Sequence, residues 1–123
     1  MSTGPWNLFL DDEREPTWEL YQPEIARSFD EAVELVRQFG VPDVISFDYD
    51  LGRDVPTGKD FLGWLVEEHL DGRLDLNTVK RVIVHSANPV GARNIELLWN
   101  GFASSELDFE LKAELRPRTS NFK

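Results

Sequence analysis

The stretch DVISFDYDLG, Asp43 to Gly52, decides the fold of this chain. Its first half is a run of apolar, β-branched and aromatic residues that is typical of a buried strand. Two aspartates, Asp48 and Asp50, follow at once, and Gly52 then breaks the chain. Carboxylates repel each other and are costly to bury. A strand that ends on two carboxylates therefore indicates a functional site that uses their negative charge.

Apolar strands alternate with amphipathic helices on both sides of this stretch. Two predicted helices begin with capping signals, since Ser28 and Thr57 are each followed three residues later by an acidic residue. A third is predicted from Gly91 to Phe102. The alternation predicts an α/β fold, a three-layer sandwich with a parallel sheet flanked by helices on both faces. The five predicted strands lie in PWNLFL, EIARS, DVISF, RVIV and FELKAEL.

One connection breaks this alternation. The segment DDEREPTWELYQPEIA, residues 11–26, contains Pro16 and Pro23. Proline interrupts a helix because it lacks an amide proton and clashes with the preceding turn. We therefore expect an irregular connection between the first two strands, with Trp18 packed over the sheet.

The composition narrows the class of protein. A length of 123 residues predicts one domain spanning residues 1–123. The absence of cysteine excludes disulfides and thiolate zinc sites and suits a reducing, cytoplasmic setting. We expect neither a secretory signal nor a membrane span. The net charge of −10 argues against broad binding to a nucleic-acid backbone, although one phosphate in a small site remains compatible with it.

Polar residues follow four of the predicted strands. The carboxyl ends of parallel strands meet at one edge of a sheet, so these residues should lie close together. Four carboxylates at one edge need a counter-charge, and oxygen ligands without cysteine suit Mg²⁺ or Mn²⁺. Without a cation, at least one carboxyl should stay protonated near neutral pH. The residues are Asp11, Asp12 and Arg14; Asp48 and Asp50; His85, Ser86 and Asn88; and Arg116.

Simpler interpretations stay open for single residues. The aspartates can cap loops or helices, and His85 can bond to the backbone at the end of a strand. Arg14 can pair with a neighbouring glutamate, and Arg93 can be a solvated helix arginine, although a cation in the first turn of a helix opposes the dipole. Asn88 can simply cap the third helix.

The segments FLDDE, SFDYDLG, VIVHSA and LRP resemble the motifs of two-component receiver domains. By that resemblance, Asp11 and Asp12 match the metal-binding acidic pair and Asp48 matches the phosphate acceptor. Ser86 matches the hydroxyl that binds a phosphoryl oxygen. Arg116, followed by Pro117, stands where receivers have lysine.

The chain also differs from these receiver motifs, and in the segments where it differs it resembles a catalytic offshoot of that fold, the cyclic-phosphate processing receiver domain family. The shared motifs are LDDERxP, SFDxDLG, TGxDFLxWLVE and VHSANPVGxxNI, where x is any residue. The resemblance implies a receiver-like, flavodoxin-like fold whose first crossover helix is degenerate. It also implies a phosphoesterase that hydrolyses cyclic phosphate ends, such as the 2′,3′-cyclic phosphates of RNA or nucleotides, in association with RNA-repair enzymes.

Roles for the individual residues follow from this chemistry. His85 and Asp48 are predicted to be catalytic, with Asp48 either a nucleophile or a metal ligand. Two alternatives remain: a divergent stand-alone receiver phosphorylated on Asp48, and a non-catalytic sensor of phosphate ends. The predicted metal ligands are Asp11, Asp12, Asp48 and Asp50, and the predicted phosphate-binding residues are Arg14, Ser86, Asn88, Arg93 and Arg116.

Overall fold

A computed structural model describes residues 5–17 and 19–116, which form a five-stranded sheet with three α-helices. All neighbouring strands are parallel, in the order β2-β1-β3-β4-β5. This confirms the predicted receiver-like, flavodoxin-like α/β fold. The strands are β1 (Asn7–Leu10), β2 (Glu24–Ala26), β3 (Val44–Phe47), β4 (Arg81–Val84) and β5 (Glu114–Leu115). The helices are α1 (Phe29–Phe39), α2 (Gly58–Leu70) and α3 (Pro89–Glu106), with a short 3₁₀ helix at Leu76–Thr78.

The first two helices begin at the predicted caps. The Ser28 hydroxyl accepts the Glu31 amide at 3.1 Å, and Thr57 and Asp60 form a reciprocal capping box. The Glu31 carboxylate does not return to the cap itself but accepts the Arg27 amide at 2.6 Å. These bonds satisfy amide protons that have no partner inside a helix.

All three helices cover the same face of the sheet. Their buried residues form one core with residues of four strands. The prediction placed helices on both faces, and the structure differs because every helical crossover steps across the sheet in the same direction. Right-handed crossovers that step in one direction place their helices on one side. The strand residues in this core are Leu8, Leu10, Ala26, Ile45, Phe47, Val82 and Val84.

The opposite face carries the irregular connection between β1 and β2. Leu20 of that connection packs against Phe9 and Ile83 in a second, smaller core. No helix occurs in its described part, residues 11–17 and 19–23, as the two prolines predict. The predicted packing of Trp18 concerns a residue outside the described part of the chain.

The prediction for the last strand was wrong in extent, since the whole of FELKAEL was expected to be a strand. The last strand is two residues long, because the chain before it is held by α3 instead of β4. The Trp99 indole donates to the Leu111 carbonyl at 2.7 Å, and Asn100 accepts the Ala113 amide at 2.9 Å. Within the described residues, no helix is long and apolar enough to cross a membrane.

The segment after β3 is held by close packing against two helix N-termini. A Cβ atom at Gly58 would overlap the Asp48 carbonyl oxygen, and one at Gly91 would overlap the Tyr49 ring. The Gly58 amide also donates to the Tyr49 carbonyl at 2.8 Å. These glycines let α2 and α3 approach closely and fix the backbone that carries Asp48.

We predict opposite effects for alanine at two glycines of α2. Gly58→Ala should lower the free energy of unfolding by about 1–3 kcal/mol, because the new methyl group meets the Asp48 backbone. Gly63→Ala is the matched control, since nothing lies within 4 Å of its Cβ position. It should stabilise the helix by about 0.5–1 kcal/mol. Urea unfolding measures both, and equal effects would contradict the close approach at Gly58.

Candidate active site at the carboxyl edge of the sheet

Three polar side chains stand in a row directly after β1, β3 and β4. Leu10, Phe47 and Val84 are in register across these strands, so the next residues, Asp11, Asp48 and His85, are neighbours. The Asp48 amide donates to the Leu10 carbonyl and the His85 amide to the Phe47 carbonyl, both at 2.9 Å. The three residues are 0 %, 4 % and 2 % exposed. The register thus forces two carboxyl groups and an imidazole into one buried row.

Both carboxylate oxygens of Asp11 accept hydrogen bonds. Oδ1 accepts the backbone amides of Glu13 and Arg14 at 3.0 and 2.8 Å, and Oδ2 lies 3.0 Å from His85 Nε2. Burial alone would raise the pKa of Asp11, but the bonds from His85 and the two amides outweigh it and lower the pKa to about 2. Asp11 is therefore ionised at neutral pH, and Nε2 of His85 is the donor in their bond.

Asp48 behaves in the opposite way. Burial and the nearby Asp11 charge raise the pKa of Asp48 to about 7, although a hydrogen bond from Ser86 and the Arg14 charge act to lower it. In the absence of a cation, a large share of Asp48 is thus protonated at neutral pH. The direction of this shift agrees with the prediction that one carboxyl group of the cluster stays protonated.

The Asp11–Asp48–His85 group has the composition of a metal site. Each residue offers one ligand atom, and these atoms all lie within 4.8 Å of one another. A bound cation would displace the proton from Asp48 and would itself compensate the negative charge of the two carboxylates. Carboxylate oxygens with one imidazole fit a divalent cation, so the group can bind a metal ion.

The other two predicted metal ligands lie outside this converging group. Asp12 is half-buried, and its pKa is raised by partial burial and by the Asp11 charge. Asp50 is exposed, and its carboxylate accepts the Asn88 side-chain amide at 3.2 Å. Asn88 also caps α3, because its Oδ1 accepts the Gly91 amide at 3.0 Å.

The predicted phosphate-binding residues take different positions. Ser86 is buried and bonds to Asp48. Arg14 is half-exposed, with its guanidinium 3.8 Å from Asp11 Oδ2. Both lie beside the buried row and stay predicted phosphate-binding residues.

Two predicted arginines are instead held by glutamates. Arg116 donates to Glu19 at 3.0 Å and to Glu114 at 2.7 Å. The exposed Arg93 donates to Glu96 at 3.2 Å. Arg93 and Arg116 stay predicted phosphate ligands, but either role requires the side chain to exchange these carboxylates for a phosphate.

Sequence reasoning missed two residues that shape the site. The Ser46 hydroxyl, in the middle of β3, lies 2.6 Å from His85 Nδ1. A serine inside an otherwise apolar strand was the available signal. Arg27, directly after β2, donates to the carbonyls of Asp11 and Arg14 at 3.1 and 2.6 Å and so holds the acidic loop. Its place at the end of a strand was the corresponding signal.

A family model described as the cyclic-phosphate processing receiver domain matches residues 6–101 of the chain. The matched region contains Asp11, Asp48, His85 and Ser86. Comparison with curated proteins and with solved structures gave no match.

We predict that Asp48→Asn stabilises the metal-free protein at neutral pH. Because its folded pKa is raised, the neutral Asp48 carboxyl contributes stability that is complete below the unfolded value of 3.8 and is lost as the pH rises to about 7. Asparagine avoids this loss, so the variant should gain roughly 1–4 kcal/mol over wild type between these pH values.

Urea unfolding from pH 3 to 8 in the presence of a chelator measures this difference. Asp50→Asn changes an exposed carboxylate and serves as the control, whose stability should run parallel to that of wild type. A constant difference between Asp48→Asn and wild type over the whole range would contradict the raised pKa.

Proposed function

Because the chain belongs to the cyclic-phosphate processing receiver domain family, we propose that it hydrolyses cyclic phosphate ends. The proposed substrates are 2′,3′-cyclic phosphates of RNA or of nucleotides, and the proposed cofactor is Mg²⁺ or Mn²⁺. The observation that carries this proposal is the bond between His85 and Asp11, 3.0 Å long, beside the partly protonated Asp48. An imidazole that can exchange a proton and two buried carboxyl groups thus lie at the same edge of the sheet.

The reaction defines what the site must supply. A 2′,3′-cyclic phosphate is a strained diester that water opens, so one ring oxygen leaves as a hydroxyl. Opening requires a proton acceptor for the water, a proton donor for the leaving oxygen and stabilisation of the charge on the phosphoryl oxygens. All three needs can be assigned to described residues.

Acid–base chemistry is assigned to His85. Its Nε2 proton faces Asp11, which stays ionised and so stabilises a positively charged ring when His85 accepts a proton. Histidine is the side chain best suited to exchange protons near neutral pH. His85 is therefore assigned to take a proton from water and to deliver one to the leaving oxygen. Both ring nitrogens are hydrogen-bonded in the structure, so this role requires the ring to exchange one of these contacts for water or substrate.

Charge stabilisation is assigned to the polar groups around Asp48. The Ser86 hydroxyl and the half-exposed Arg14 are proposed to donate to phosphoryl oxygens, while the carboxyl groups of Asp11 and Asp48 would hold the cation. When bound, a divalent cation stabilises phosphoryl charge and lowers the pKa of a water molecule. Arg116 joins this set only if it leaves Glu19 and Glu114.

A signalling function is the second candidate. Ser86 matches the receiver hydroxyl that binds a phosphoryl oxygen, and its position next to Asp48 favours phosphorylation of Asp48. The buried His85–Asp11 pair favours hydrolysis, because simple phosphate acceptance needs no neighbouring acid–base group. Association with RNA-repair enzymes is part of the hydrolytic proposal.

We predict that wild type binds Mg²⁺ or Mn²⁺ more tightly than Asp48→Asn, because the amide removes one anionic oxygen from the buried group. Asp50→Asn tests the exposed position and, by its distance from the converging group, should have the smaller effect. Titration calorimetry of the three proteins measures the affinities. Absence of binding to wild type at millimolar metal would contradict the proposed cofactor.

We predict that His85→Gln lowers turnover of a 2′,3′-cyclic nucleotide by roughly 10²–10⁴-fold, because glutamine cannot exchange a proton. His69→Gln is the control, since His69 lies at the end of α2 with its Nδ1 accepting the Leu76 amide at 3.0 Å. It should retain wild-type turnover.

The kinetic assay follows release of the opened nucleotide monophosphate in the presence of Mg²⁺. A parallel incubation with acetyl phosphate detects phosphorylation of Asp48. Phosphorylation without turnover of any cyclic phosphate would favour the signalling candidate, and binding of cyclic phosphate without either reaction would favour a sensor.

A further inference from the structure

Ser46 is a buried hydroxyl on the second face of the sheet. It is 2 % exposed and lies between apolar neighbours on β3, in the sequence VISF. Its Oγ is 2.6 Å from His85 Nδ1, and a serine in an apolar setting is costly unless such a bond is made. Strand β3 thus carries a polar residue at a core position, and this residue hydrogen-bonds to the histidine.

The His85 ring is fixed on three sides. Asp11 lies at Nε2, Ser46 lies at Nδ1, and the Phe9 ring stacks on the imidazole with centroids 4.6 Å apart and planes 5° apart. Phe9 fixes the plane of the ring but cannot distinguish the two nitrogens. The polar contacts alone determine which nitrogen faces Asp11 and carries its proton.

We propose that Ser46 is a positioning residue for His85. Its hydroxyl fixes the orientation and the tautomer that present the Nε2 proton to Asp11. A neutral His85 ring accepts the Ser46 hydroxyl proton at Nδ1, whereas a charged ring donates to the Ser46 oxygen. Because a hydroxyl group can do either, it keeps the ring in place throughout a proton-transfer cycle.

The effect of this positioning on turnover rests on the proposed function, but the positioning itself does not. The chain has two histidines, so their imidazole nitrogens can be distinguished by ¹⁵N NMR without substrate. His69 provides an internal reference, because the Leu76 amide determines its tautomer independently of Ser46.

Three variants distinguish the effect of the Ser46 hydroxyl from the effect of side-chain packing. Ser46→Ala removes the hydroxyl, and Ser46→Thr keeps it, with a cavity of about 190 Å³ beside residue 46 to receive the added methyl group. Val44→Ala is the matched control, because it removes packing two residues away on the same face of β3 but removes no hydrogen-bonding group.

In Ser46→Ala, the two His85 nitrogen resonances should move toward each other as the ring samples both tautomers. They should keep their wild-type positions in Ser46→Thr and Val44→Ala. In the kinetic assay, Ser46→Ala should lower kcat by about 10–100-fold with little change in KM, as for other residues that orient a functional histidine. Ser46→Thr should restore most of kcat.

Unchanged His85 resonances in folded Ser46→Ala would overturn the proposal, as would equal changes in Val44→Ala. A full loss of activity in both Ser46 variants, together with labelling of wild-type Ser46 by a fluorophosphonate, would also overturn it and identify a nucleophile instead. If wild type turns over no cyclic phosphate, the hydrolytic function fails while the resonances still decide the role of Ser46.

Discussion

Two carboxyl groups are buried side by side at the edge of this sheet, and the rest of the site depends on how their charge is balanced. The neighbouring strands β1 and β3 end in register, so Asp11 and Asp48 cannot move apart without breaking the sheet. One carboxylate keeps its charge by accepting hydrogen bonds from His85 and two amides, and the other is partly protonated at neutral pH because its pKa is raised to about 7. A cation is the remaining way to balance the pair when both are ionised.

The missing crossover helix contributes to this arrangement. The chain leaves β1 directly as a loop, and this loop turns its amides at residues 13 and 14 onto Asp11. Arg27, from the end of β2, then holds the carbonyls of the same loop. The irregular connection therefore encloses a carboxylate, while the three helices on the other face supply most of the core.

The sequence predicted the number of strands, the first two helix caps and the meeting of Asp11, Asp48 and His85 at one edge, because these follow from local patterns and from the common edge of a parallel sheet. It wrongly added Asp12 and Asp50 to the converging group. It did not predict that the helices share one face, since strand order becomes visible only in the structure. It also did not predict the ion pairs of Arg116, because Glu19 lies 97 residues away in the chain. Ser46 was missed because its strand was interpreted as wholly apolar.

The central claim, that the buried pair carries one negative charge near neutral pH, is tested most directly by ¹³C NMR of the aspartate side-chain carboxyl carbons. The titration would cover pH 2–9 in metal-free protein. The account predicts that Asp48 titrates with a midpoint near 7 while Asp11 stays ionised down to about pH 2. Asp11→Asn should lower the Asp48 midpoint, because the Asp11 charge is one cause of the raised pKa. An Asp48 midpoint near 4 that is insensitive to Asp11→Asn would contradict the account.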